Sequence, residues 1–417
     1  MAEPATAPRS PLFTPLTAGR LKLRNRLIRS ATYEGLGDAS GTPRPELGEL
    51  YLGLARGGIG AIVTGFTFIS QAGRAMQPGQ CGMDDDAKAA AWAQIVRQVR
   101  AADPDVRLVM QLAHAGRQTR RAVTGRPVLG ASGRRCTYFR EPVTPMGEAA
   151  IQAAIAEFAE AARRARAAGF DAVQIHAAHG YLIHQFLSPR TNTRRDDWGA
   201  DRGRFLEATV RAVQAACGPD FPLWVKLSWA EDARPGIGLE DALRTAERLS
   251  ALGIDLLEIS YGTMEVALNI IRGACPVDAV FAVNPLFSRV PPLCRGLWKR
   301  LFLKRTLRRF QPFSEGYNVA AAAAVKRVVP ATAVAVVGGL RTLEQMERCL
   351  VRDGLDAVAL CRPLVCEPDL PSRLQAGTAA ASRCRNCNLC TIYCDSRLPL
   401  RCYGKARGAD HADRPVT

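Results

Sequence analysis

A (β/α)8 barrel with lid insertions and a cysteine-rich C-terminal tail is the fold class this sequence predicts. Three observations predict it. Eight short apolar, often β-branched runs recur along the chain, and a helical pattern follows each. The segments AGF-DAVQI, LGI-DLLEI and RDGL-DAVAL repeat one junction, a helix with a glycine stop followed by a strand. Near-continuous apolar strands suit a parallel sheet buried on both faces, and strict β-α alternation eight times over suits a closed barrel. A doubly wound sheet is the alternative, but no GxGxxG follows the first run.

The elements follow in order. Strands are expected at 27–31, 61–65, 107–112, 171–176, 222–228, 255–260, 333–338 and 356–361, several with the cores AIVTG, RLVMQL, DAVQIH, LWVKLS, DLLEIS, AVAVV and DAVAL. Helices are expected at 84–101, 147–168, 202–216, 239–251, 317–329 and 342–351. Residues 119–144, rich in Gly, Pro and Arg, read as a loop or lid. Residues 261–315 form an insertion longer than a barrel needs. The expected division is a barrel over 1–380, carrying that insertion, and a tail over 381–417.

The 417 residues are 47% hydrophobic and 23% charged, which excludes a disordered chain. The charge-free stretch 57–73 holds five glycines and is too short and polar to span a membrane. The start, MAEPATAPRSPLF, has no apolar signal region, so a cytoplasmic protein is expected. Net charge is +17, from 56 Lys+Arg against 39 Asp+Glu, with only seven Lys. An Arg excess of this kind often follows genome base composition; anionic cofactors, nucleic acid or an anionic membrane are the functional readings. Residues 289–309 carry eight basic residues and no acid. As a helix, 293–302 places Leu293, Leu297, Leu301, Trp298 and Phe302 on one side and Arg295, Lys299 and Arg300 on the other. A solvated helix capping the barrel mouth is the preferred reading, and docking to a membrane or acidic partner the other.

Barrel enzymes carry their chemistry at the C-terminal ends of the strands. The polar residues there include Thr32, Gln111, His176 with His179 and Tyr181, Lys226, Ser260, and Cys361 with Arg362. Gly338 and Gly339 end the seventh run and allow close backbone approach, and Arg362 adds a cation, so these two ends suit a phosphate. A phosphate there, with Gln111 and Lys226 further round, suggests flavin mononucleotide (FMN). Gln111 suits a pyrimidine edge, and a cation at Lys226 stabilises an anionic reduced ring. An HxxH pair also suits zinc, but no third ligand stands at metal spacing.

From about residue 12 to 374 the chain resembles the Old Yellow Enzyme family of FMN-dependent oxidoreductases. The resemblance rests on RNRLIRSATYEG (24–35), GGIGAIVTGFTFIS (57–70), QLAHAGRQ (111–118), AGFDAVQIHAAHGYLIHQFLSPRTNTRRDDWG (168–199), VGGLRT (337–342) and CRPLVCEPDLP (361–371). It implies that Ser30, Ala31 and Thr32 line one flavin face, that Gly65 and Gln111 contact the ring, and that Lys226 serves where many members carry Arg. It implies that Gly338, Gly339, Cys361 and Arg362 hold the phosphate. His176 and His179 would bind a substrate carbonyl oxygen, and Tyr181 would donate the proton. The implied activity passes hydride from NAD(P)H through FMN to an activated C=C bond, of an enone or an enoyl or dienoyl thioester. His184 has no implied role and reads as structural. Cys361 departs from the usual glycine, and the connection after Gly199 is shorter. Tyr261 and Glu265 stand where dienoyl-CoA reductases carry a histidine acid.

Cys384, Cys387, Cys390 and Cys402 form C-x2-C-x2-C-x11-C. That spacing suits an iron–sulfur cluster, with zinc the competitor and Cys394 a fifth thiol nearby. The tail resembles the dienoyl-CoA reductase and trimethylamine dehydrogenase branch of the family, in which a 4Fe–4S cluster exchanges electrons with FMN. Fifteen residues follow Cys402, so that branch's second flavin and nucleotide domain is not expected here. Electrons would come from NAD(P)H at the FMN or from a separate electron-donor protein. The expected partner is otherwise a small-molecule substrate. Nucleic acid is not expected, because RNA-acting flavin barrels lack the HxxHGY constellation. Amine dehydrogenation is the alternative activity; it needs an aromatic bowl, and aromatics are only 6% of the chain.

Overall fold

The structure, a computed structural model, describes residues 10–284, 287–396 and 398–404. Eight parallel strands close into a barrel: β1 (Leu27–Arg29), β2 (Ala61–Val63), β3 (Arg107–Ala113), β4 (Ala172–Ala177), β5 (Leu223–Ser228), β6 (Leu256–Ser260), β7 (Ala333–Val337) and β8 (Ala357–Leu360). Each pairs with the next, β8 pairs back to β1, and the β2–β3 pairing completes the ring. The strands fall within one or two residues of the expected runs. At β1, β2, β7 and β8 the last one or two expected residues leave the ladder and turn over the barrel mouth.

Period-two alternation sorts the strands into two cores. Val173, Ile175, Val225, Leu227, Leu257 and Ile259 point outward to the helices, and all are at most 2% exposed. Val109, Ala172, Trp224 and Leu256 point into the barrel. A hairpin, Leu16–Ala18 against Leu21–Leu23, joins that inner cluster and closes the barrel floor. The sequence reading names no such hairpin.

The expected helices appear as α2 (Asp86–Ala102), α3 (Glu148–Ala167), α4 (Arg204–Cys217), α5 (Leu239–Ala251), α6 (Val319–Val328) and α7 (Leu343–Val351). The helix α1 (Pro45–Arg56) precedes them and was not among the expected ones. Pro45 at its first turn and buried Leu47, Tyr51, Leu52 and Leu54 account for its formation. At α7, Thr342 and Gln345 form a reciprocal capping box.

The lid region 119–144 holds a short helix, Arg121–Thr124, and one strand of the pair Val128–Gly130 with Val143–Pro145. The insertion 261–315 is largely helical. Its arm runs Pro292–Trp298, a π turn Lys299–Leu303, then Lys304–Leu307. The arm's faces correct the expected separation. Trp298 packs against Phe281 and Phe287, with ring centroids 5.2 and 5.7 Å away. That aromatic contact turns the helix so that Leu293, Leu297 and Leu301 are 98%, 60% and 59% exposed. Arg295 and Lys299, expected outside, are half-buried, and Arg295 lies over the Phe281 ring at 5.5 Å.

Candidate active site

A cavity of about 440 Å3 opens at the C-terminal end of the barrel. Ala31, Thr32, Gln111 and Lys226 line it together with His176, His179 and Tyr181, and Lys226 stands level with His176 on the neighbouring strand. Gly338, Gly339, Cys361 and Arg362 line its far end. Ser30 and Gly65 do not line it. Ser30 is fully buried and Gly65 is closed off by Glu34, whose carboxylate accepts the Gly65 N–H at 2.9 and 3.1 Å. A Cβ at Gly65 would meet the Glu34 Oε2 at 2.0 Å, so the glycine is required there by packing.

His176 is the last residue but one of β4, and its Nδ1 is buried without a hydrogen-bond partner among the described residues. His179 sits in the left-handed region at φ 61° and is held at four points. Its N–H donates to Ser228 Oγ at 3.0 Å and its Nε2 meets Ser260 Oγ at 2.8 Å. Its carbonyl accepts from Met264 N–H at 3.0 Å and from Gln118 Nε2 at 2.9 Å. Such over-determination supports a strained backbone. The His176 ring lies 5.0 Å from those of both His179 and Tyr181. Burial, reinforced by the Lys226 ammonium, holds both histidines well below the usual imidazole range. Both are therefore neutral at pH 7 and each keeps one N–H to donate. Burial raises Tyr181 above the usual phenol range, and the Asp395 carboxyl adds to this, so Tyr181 is protonated.

Inside the mouth one carboxylate organises two of the expected ring contacts. Lys226 Nζ donates to Glu258 Oε1 at 2.9 Å and to Ser30 Oγ at 2.8 Å. Ser30 also donates to Glu258. Gln174 Nε2 donates to Glu258 Oε2 at 2.8 Å, and Gln111 Nε2 donates to Gln174 Oε1 at 2.7 Å. Glu258 is 1% exposed. The sequence reading passed over Glu258, Gln174 and Ser228. An acid in the middle of the apolar run DLLEIS was the available signal, since an acid inside a strand needs a partner.

Arg362 is 8% exposed, and its Nη1 donates to Asn388 Oδ1 at 2.5 Å. Asn388 belongs to the cysteine tail, so the tail reaches the expected phosphate end. Gly338 and Gly339 hold φ of 129° and 73°, which a side chain would strain. Tyr261 is turned to Asp232 at 2.9 Å, and Glu265 pairs with Arg117 at 3.0 Å, so neither stands free as a second acid. His184 meets Glu231 at 3.3 Å outside the cavity, as a structural residue.

The cavity fits an aromatic, phosphate-bearing group. Five buried polar atoms without a hydrogen-bond partner belong to residues on its wall: Gln77 Oε1, Gln118 Oε1, His176 Nδ1, Arg341 Nε and Asn386 Nδ2. Buried groups of this kind are normally satisfied, and these offer both donors and acceptors to a bound group or to water. Tyr33, Phe66 and Tyr181 form an aromatic row, with centroids 5.8 and 5.3 Å apart, that the sequence did not reveal.

Cys384, Cys387, Cys390 and Cys402 line a second cavity of about 1080 Å3, and Cys390 borders both cavities. None of the four is in a disulfide. Among the described residues no group of three or more His, Cys, Asp or Glu side chains is gathered as a metal-ligand set. The four thiols are the donor type a thiolate-held metal uses, but the structure does not draw them together into the ligand set that their spacing predicts. Cys394 stands apart, buried against the Tyr33 carbonyl at 3.5 Å.

Residues 11–281 match the NADH:flavin oxidoreductase / NADH oxidase family. The chain belongs to that family, as its resemblance to the Old Yellow Enzymes implied. It is 28% identical over 400 residues to an NADH oxidase of Thermoanaerobacter brockii, covering 94% of this chain and 55% of that protein. It is 30% identical over 412 residues to a metal reductase of Desulforamulus reducens, covering 97% and 55%. Both matches thus span about half the length of those relatives. The fold is similar to that of a 2-naphthoyl-CoA reductase solved with 2-naphthoyl-CoA, at TM-score 0.78 and 21% identity over 94% of this chain and 56% of that one.

Proposed function

We propose that this protein is an FMN-dependent NAD(P)H oxidoreductase that reduces an activated C=C bond. The observation that carries this reading is one cavity lined by two neutral histidines and a protonated tyrosine together with Thr32, Gln111 and Lys226. FMN, when bound, supplies hydride taken from NAD(P)H. Gln111 and Lys226 would hold the ring, and Gly338, Gly339, Cys361 and Arg362 the phosphate. His176 and His179 then donate hydrogen bonds to the carbonyl oxygen, where negative charge grows. Tyr181 delivers the proton to the α-carbon. Burial of His176 and Tyr181 limits water at that transfer. Ser30 and Gly65 serve indirectly, by fixing Lys226 and the second strand end. The barrel over 1–380 would do this chemistry, and the tail from 381 would hold a metal through Cys384, Cys387, Cys390 and Cys402.

Anaerobic half-reactions test the assignment. Tyr181→Phe in the FMN-loaded protein leaves flavin reduction by NADPH unchanged. It slows reoxidation by 2-cyclohexenone by roughly 10²–10⁴-fold, the usual worth of a positioned acid. Equal loss in both half-reactions would remove Tyr181 from the acid role. The aromatic row of Tyr33, Phe66 and Tyr181 favours one second reading, amine oxidation, because such faces attract a cation. Flavin bleaching by a tertiary amine without NADPH would establish it.

A further inference from the structure

We propose that the outward face of the 292–307 arm docks on an anionic lipid bilayer. A soluble protein normally turns a leucine stripe inward; here the arm's leucines face out. Leu293 is 98% exposed, and Leu297 and Leu301 follow at four-residue intervals at 60% and 59%. Arg300, Lys304 and Arg305 are exposed on the same arm. No acid occurs over 289–309. Lys299 pairs with Asp278 at 2.5 Å, and Arg300, Lys304 and Arg305 form no ion pair among the described residues. The opposite face is already used: Trp298, Leu303 and Thr306 line the active-site cavity.

This distribution selects a bilayer over an acidic protein. The three leucines stand 59% to 98% exposed along one arm, so a protein would have to supply the whole apolar surface that covers them. A bilayer interface supplies hydrocarbon beneath and anionic headgroups beside, and long basic side chains reach those headgroups while the leucines enter. No helix among the described residues is long and apolar enough to cross a membrane, so the contact is peripheral. Docking through the outer face sets the cavity, one helix thickness away, beside the interface.

Flotation of the FMN-loaded chain with vesicles tests this. The protein is expected to float with phosphatidylcholine vesicles carrying about 30% phosphatidylserine, and not with phosphatidylcholine alone. Raising salt from about 0.05 to 0.5 M is expected to release it, since screening removes the headgroup attraction. Both the triple variant Leu293→Ser, Leu297→Ser, Leu301→Ser and the triple variant Arg300→Glu, Lys304→Glu, Arg305→Glu are expected to lower partition at least about tenfold. These residues line neither the active-site cavity nor the cysteine-lined one, so the flavin spectrum and NADPH oxidation stay unchanged. Four outcomes overturn the proposal: no flotation of the native chain, equal binding to neutral vesicles, native partition in either variant, or capture by polyglutamate without vesicle binding.

Discussion

Removing the Glu258 side chain tests the organisation of the barrel mouth most directly. Glu258→Ala leaves the Lys226 ammonium buried, at 3% exposure, with Ser30 Oγ as its remaining partner among those described. It also leaves Gln174 Nε2 without its acceptor. Breaking one side of a buried ion pair costs about 3–5 kcal/mol, because the uncompensated charge stays out of water. Unfolding entropy grows with chain length, so each kcal/mol shifts the midpoint of a chain this long by roughly 1–2 °C. The expected fall in Tm is therefore about 3–10 °C. Urea unfolding of the flavin-free protein measures the free energy without contribution from ligand binding. The double variant Lys226→Met, Glu258→Leu is the control: replacing both charges by apolar groups is often close to neutral, so it should recover much of the loss. Glu258→Ala within about 1 kcal/mol of wild type, or a double variant less stable than the single, would refute the argument.

Acid should destabilise the fold through its buried imidazoles. Burial pushes His114 down to about 4, and His176 and His179 are held low as well. In the unfolded chain each takes up a proton near pH 6.5. Stability is thus fully present above 6.5 and lost as pH falls toward 4, with His114 contributing about 2 kcal/mol of that loss by pH 5. Asp395, whose carboxyl burial pushes up to about 7, acts in the opposite sense. The His114 contribution is therefore the difference in urea unfolding between wild type and His114→Gln at pH 7.5 and 5. An identical pH slope in the two proteins would contradict it. For the tail, anaerobically purified protein is expected to carry iron and acid-labile sulfide, and Cys387→Ser to lose most of both while keeping FMN. Iron retained in that variant would exclude Cys387 as a ligand, and zinc in place of iron would make the site structural.

The barrel and its mouth were legible because the signals are local. Periods of 2 and 3.6 residues mark strands and helices wherever they lie. Once eight strands are counted, their C-terminal ends name the cavity residues, including Thr32, Gln111, His176, His179, Tyr181, Lys226 and Arg362. The helix α1 is weakly marked in sequence, because Gly48 and Gly53 inside it lower its helix propensity and its formation rests on burial of Leu47, Tyr51, Leu52 and Leu54. The remaining features depend on contacts between residues far apart in the chain. Glu258 meets Gln174 across 84 residues and Ser30 across 228, and no periodicity encodes that pairing. Arg362 reaches Asn388 only because the tail folds back over the eighth strand. The arm's hydrophobic pattern predicted a helix but could not orient it; the packing of Trp298 on Phe281 and Phe287 set its rotation. Sequence by itself determined the eight barrel strands, six of the helices and which residues stand at the strand ends. Tertiary structure decided which buried charges meet and which face of the arm meets water, because the first depends on strands that the barrel brings together and the second on how Trp298 packs within the insertion.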